Sequence, residues 1–187
     1  MIVRPSNPDI SKNEKTYLSS DAVTGDTSLS VQNSQGFAAN DYVVIGKMGT
    51  EQAELTQLTA VSGNTSITTG ALKFNHGIDT PVSFIRYNQY QVWSATSKTG
   101  TYAQVGANQA IEVDQESSEF EDTAGSSTTW YKIRFYNATT NTYSDYSDLV
   151  QGTGYTDDSL QSVMDRIYII GNDPDHKVID EEEMMVI

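Results

Sequence analysis

Hydrophobic positions recur at every second residue in several stretches of this chain. In WYKIRFY, Tyr131, Ile133 and Phe135 alternate with Lys132, Arg134 and Tyr136. A strand repeats every two residues, so the apolar side chains share one face and the two cations share the other. A polar turn, Asn137-Ala-Thr-Thr-Asn141, leads into a second aromatic run over 142–150. Together they predict a β-hairpin with one buried and one solvated face. Leu29 and Val31 alternate with polar residues in TSLSVQN. A compact apolar run over 42–45 lies between Asn40-Asp41 and Gly46. Residues 51–61 read as one strand, with Ala53, Leu55, Gln57 and Thr59 on one face and Leu58 and Ala60 on the other. Ser62-Gly63-Asn64 turns the chain and 66–69 returns it. Residues 90–105 read as two strands around a turn containing Gly100.

The period changes near residue 158. Leu160, Val163, Met164, Ile167 and Ile170 fall at helical spacing behind a capping Asp158 or Ser159. Gly171-Asn172-Asp173-Pro174 stops that helix. Asp180 with Glu183 then forms a capping box, and Met184 and Ile187 begin a second apolar face. Short helices are marginal alone in water, so this end is expected to be completed by further chain or by a partner.

Four regions follow. Residues 1–16 are polar, contain Pro5 and Pro8, and read as an extended arm. Residues 17–82 read as a small β-barrel-like domain. Residues 83–155 form a second β domain, in which 81–87 supplies at most one strand before Tyr90. Residues 156–187 are a helical, acidic C-terminal element. The fold class is mainly β, consistent with many Thr, Ser, Gly and Asn and with eleven Tyr, five Phe and two Trp.

Charge and cysteine content narrow the function. The chain has no cysteine, which excludes disulfides and thiolate metal sites. Its net charge of −14 argues against direct nucleic-acid binding. Half of that excess lies in 156–187, which carries nine acids and two bases; this is a solvated tail or an element that docks on a basic surface. No secretory h-region and no apolar run of about 18 residues is present, so neither export nor a membrane span is expected. Asn64-Thr-Ser and Asn137-Ala-Thr match glycosylation sequons and read as ordinary turns.

Candidate chemistry is sparse. His76, in Asn-His-Gly-Ile-Asp, reads as a surface turn histidine. His176 falls in a segment from Asp173 that fails the EF-hand pattern at Lys177, Val178 and Met184. Glu112, Asp114, Glu116, Glu119, Glu121 and Asp122 could pair as glycosidase carboxylates, but such density reads as a solvated face. No phosphate loop or nucleophile motif occurs. No catalytic residue, metal or cofactor is expected. Trp130, Tyr143, Tyr146 and Tyr155 remain as a candidate exposed aromatic patch.

Three stretches resemble known families. TSLSVQNSQGFAANDYVVIG and QAELTQLTAVSGNTSIT resemble a domain of tailed-bacteriophage virion proteins, over about 60 residues. The run from Tyr90 to Val105, with its aromatic-x-Val-aromatic strand and G-x-Y-x-x-V, is similar to fibronectin type III and immunoglobulin-like domains, as is the hairpin from Trp130. Such domains usually begin with two further strands, so this one is a reduced sandwich or borrows a strand from the first β domain. SLQSVMDRIYIIGNDPDHKVIDEEEMMVI resembles the start of the helical module by which some phage neck adaptors dock on the portal.

These resemblances imply a small β-barrel, an immunoglobulin or type III-like β-sandwich and a short helical C-terminal element. They imply a non-enzymatic virion subunit at the head–tail junction, present in repeated copies or as a homo-oligomeric ring against portal, tail or capsid subunits. Leu160, Val163, Met164, Ile167, Ile170, Met184 and Ile187 would dock it. The alternative is a capsid decoration, tail or receptor- and glycan-binding appendage.

Overall fold

The computed structural model describes residues 1–8 and 14–152. The helices expected over 160–170 and from 180 lie outside them. The described residues are mainly β, in four antiparallel sheets, with no helix.

The strands are β1 (Ile2–Val3), β2 (Lys15–Tyr17), β3 (Ser28–Ser30), β4 (Tyr42–Ile45), β5 (Glu54–Gln57), β6 (Ala60–Ser62), β7 (Ser66–Thr68), β8 (Pro81–Ile85), β9 (Gln89–Ala95), β10 (Ala103–Ala110), β11 (Phe120–Glu121), β12 (Trp130–Asn137), β13 (Thr142–Tyr143) and β14 (Val150–Gln151). One sheet runs β2-β8-β4-β5 and a second β3-β7-β6. A third runs β10-β9-β12-β13, with β14 also on β12, and β1 pairs with β11.

Two hydrophobic cores share the first of these sheets. Val43 and Ile45 of β4 enter one core with Val82 of β8, Leu29, Ile67 and Leu58. Val44 points the other way and joins Ile85, Tyr90, Val92, Ile111 and Tyr131 in the second core. The strand's alternation thus feeds both cores, which is why YVVI is apolar at every position.

The span 51–61 does not form one strand. It breaks at Leu58-Thr59: β5 pairs with β4, and β6 pairs with β7 in a different sheet. Leu58 turns into the first core while Leu55 packs on the second. One strand cannot serve two sheets without a bend, and the alternation alone does not mark where it falls.

The beginning of the chain is not a free arm. Ile2 pairs with Glu121 and Val3 with Phe120, and Ser6 bridges to Ser117. The Met1 amino group donates to Asp122 O at 2.7 Å, and Asp122 N donates back to Met1 O at 2.7 Å. Asn7 Nδ2 donates to Gln115 O at 2.8 Å. Met1 and Val3 pack on the second core. The strand β1 therefore joins β11 in a two-stranded sheet beside the second core. The strand that this unit was expected to borrow from the first β domain is not taken from there, and residues 17–82 lie in sequence between β1 and the strands it packs with. The signal was present: Ile2-Val3 is an apolar pair, but too short for a period to register.

Candidate interaction face

The side of β9 and β12 opposite the second core carries a ladder of cations and aromatic rings. Tyr90 and Val92 point into the core, so Gln89, Gln91 and Trp93 point away from it. The register places Trp93 opposite Lys132, and Gln91 opposite Arg134. Lys132 Nζ lies 3.7 Å from the ring centre of Tyr146 and 4.7 Å from that of Tyr102. The Arg134 guanidinium lies 3.9 Å from Tyr143 and 5.1 Å from Trp93. Tyr143 also stacks on Tyr136 at 4.9 Å, Tyr146 meets Trp93 edge-on at 5.8 Å, and Lys98 lies 5.4 Å over Trp130. Each such contact contributes about 0.5–1 kcal/mol when exposed and more when desolvated.

The return run of the hairpin explains how two tyrosines three residues apart reach the same side. The expected second strand is regular only at its ends. Tyr143 pairs with Tyr136 and Val150 with Tyr131, so the return run takes seven steps where β12 takes five. Two extra residues are absorbed as bulges in a repeated triplet, Tyr143-Ser144-Asp145 and Tyr146-Ser147-Asp148. Ser144 N donates to Phe135 O at 3.0 Å, and Phe135 N donates to Ser144 Oγ at 2.8 Å. Ser147 repeats this with Ile133, at 2.8 and 3.0 Å. The serine hydroxyls stand in for backbone acceptors, and the period of three returns each tyrosine to the cation side.

An amide network extends the face towards β10. Arg134 Nε donates to Gln91 Oε1 at 2.7 Å, and Gln91 Nε2 donates to Asn108 Oδ1 at 2.8 Å. Gln104 Nε2 donates to the same oxygen at 3.1 Å, and Asn108 Nδ2 donates to Gln89 Oε1 at 3.3 Å.

Of the patch expected from sequence, Trp130, Tyr143 and Tyr146 are brought together on this face, and Tyr155 lies outside the described residues, as do all seven docking positions from Leu160 to Ile187. Tyr143 and Tyr146 are 46% and 39% exposed, whereas Trp130 is half-buried. Sequence reasoning missed Trp93, Tyr102 and the amides. The usable signals were the doubled Tyr-Ser-Asp triplet and the alternation of Gln89, Gln91 and Trp93.

Two expectations are corrected. His76 is not a surface histidine: it is 4% exposed, and its Nε2 lies 2.8 Å from Oε1 of Glu54, itself 4% exposed. A lone His between polar neighbours carries no trace of a carboxylate on a distant strand. Among the acids of 112–122, Glu112, Asp114, Glu116, Glu119 and Glu121 are exposed, but Asp122 is buried. Its Oδ2 accepts from the Tyr131 hydroxyl at 2.9 Å. Burial, followed by this hydrogen bond and the Asp122 charge, pushes the Tyr131 phenol up to about 12. The chain matches no family, no curated protein and no solved structure.

Proposed function

We propose that this chain is a non-enzymatic structural subunit of a tailed-bacteriophage virion, at the head–tail junction. The inserted unit is a small β-barrel and the unit that holds it an immunoglobulin or type III-like sandwich. Leu160, Val163, Met164 and Ile167 dock the chain on a portal, tail or capsid subunit, in repeated copies. One observation supports the reading. Gly152, which leads towards the acidic segment 156–187, packs beside Met1, where an added Cβ would lie 2.9 Å from the Met1 methyl. On this reading the docking segment departs from the edge of the body at which residues 1–3 are fixed. Mass spectrometry of purified particles tests this. The chain is expected in stoichiometric amounts, and serine at those four positions is expected to release it. Its absence from particles, or retention of the quadruple variant, overturns the reading.

A second reading, a glycan-binding appendage, is favoured by the aromatic and amide face. Tyrosine rings and amides are the groups that meet sugar rings and hydroxyls.

A further inference from the structure

The charge of the face is anomalous for this molecule. The chain carries 25 acids, yet none lies between Thr80 and Ile111 or between Thr123 and Ser144. Every strand of the five-stranded sheet is therefore free of acids. Lys98, Lys132 and Arg134 have no carboxylate within 4.0 Å among the described residues, where the only Lys or Arg ion pair is Arg4 with Glu119. Asp145 and Asp148, on the neighbouring run, are exposed and do not pair with them. Contact with aromatic rings holds a cation in place but does not neutralise it.

An acidic protein with a sheet face whose strands carry cations and no acids, and whose nearest acids, Asp145 and Asp148, leave those cations unpaired, has a preferred anion site there. At about 0.15 M salt, charges are screened beyond about 8 Å, so these cations act locally whatever the net charge. The ligand must also suit amides and tyrosine edges, which offer hydrogen bonds to hydroxyl groups. A sugar acid uses all three features together: its carboxylate meets the cations, its hydroxyls the amides and the apolar face of its ring the tyrosines.

We propose that this face binds a carboxylated polysaccharide. Lys132 and Arg134 take its carboxylates, and the Gln104 and Asn108 amides take its hydroxyls. The proposal rests on the glycan-binding reading and names its ligand class.

Trp93 and Trp130 are the two tryptophans of the chain, and both belong to this face. Their fluorescence therefore reports occupancy directly. The full chain is titrated at about 0.15 M salt with polygalacturonate, neutral dextran and polyglutamate. Polygalacturonate is expected to change the emission saturably, with the change abolished at about 1 M salt. Lys132→Gln with Arg134→Gln is expected to weaken binding about tenfold or more, as loss of charge-assisted hydrogen bonds does. Lys98→Gln removes an exposed cation and its contact with the Trp130 ring, leaves the hydrophobic core intact, and is expected to weaken binding severalfold. Equal binding of polyglutamate overturns the sugar specificity. Binding of dextran but not polygalacturonate overturns the proposal and keeps the glycan reading. No binding of either polysaccharide overturns both, and unchanged affinity in Lys98→Gln and in the double variant overturns the site.

Discussion

His76 Nε2 and Glu54 Oε1 lie 2.8 Å apart in a site sealed from water, joining a loop to β5, the edge strand that pairs with β4. The carboxylate is the hub of this contact. It also accepts from Lys73 N at 2.9 Å and Phe74 N at 3.4 Å, while the His76 backbone is bound to Ala22 in both directions. Glu54→Ala strands three donors and is expected to cost about 3–5 kcal/mol, as breaking one side of a buried pair does. His76→Phe leaves the carboxylate its two amides and is expected to cost less, about 1–3 kcal/mol. Urea unfolding of the two variants checks the order; a costlier His76→Phe would mean that the imidazole, and not the carboxylate, organises the loop.

What the sequence disclosed here depended on range. Period two located β12 and β3, a compact apolar run between turn residues located β4, and the turns at Ser62-Gly63-Asn64 and Gly100 placed the strands on either side of them, because these signals are local. The Glu54 partner of His76 and the β11 partner of Ile2-Val3 are fixed by packing across the chain, and no local pattern encodes them. The aromatic patch was half legible. Tyr143 and Tyr146 are aromatic at a spacing that no regular strand would place on one side, and only the serine-mediated bulges resolve it. Trp93 looked like one more strand aromatic until its register opposite Lys132 was known.

Val43 and Val44 are adjacent, fully buried and assigned to different cores. Val43→Ala and Val44→Ala are each expected to cost about 2 kcal/mol, for lost methyl burial plus a cavity. The shared sheet should make the two cores unfold together. Val43→Ala lies in the first core, whereas both tryptophans lie on the sheet that closes the second. The tryptophan fluorescence midpoint is therefore expected to fall with the far-UV circular dichroism midpoint. An unmoved fluorescence transition beside an earlier dichroism transition would show the inserted unit unfolding alone.

Gly125 is required by the Tyr131–Asp122 contact. A Cβ there would fall on the Tyr131 hydroxyl, 2.9 Å from Met1 Cβ and 3.0 Å from Asp122 Oδ2. Gly125→Ala is expected to cost about 2–3 kcal/mol, within the range of overpacking. Tyr131→Phe removes the clashing oxygen but deprives Asp122 of a donor, at about 1–3 kcal/mol. The double variant should then be less destabilised than the sum of the two, because the second change relieves the first. Additive costs in a double-mutant cycle would place the strain elsewhere.

Tyr90 and Tyr131 make the fold sensitive to alkali. Burial, and then the charges of Glu112 and Glu119, push the Tyr90 phenol up to about 12, like that of Tyr131. Tyr90 donates to Glu119 O at 3.0 Å, so both hydroxyls spend their protons on hydrogen bonds that an ionised phenolate cannot make. In the unfolded chain a tyrosine ionises near 10. Above that pH the unfolded state releases protons that the folded state still holds, and stability falls as pH rises. The contribution is complete below about pH 10 and is lost progressively up to about 12. Unfolding midpoints are expected to be level from about pH 7 to 9 and to drop steeply above 10, with a shallower drop in both Tyr90→Phe and Tyr131→Phe. A drop of the same steepness in the two variants would assign the alkaline loss to other groups.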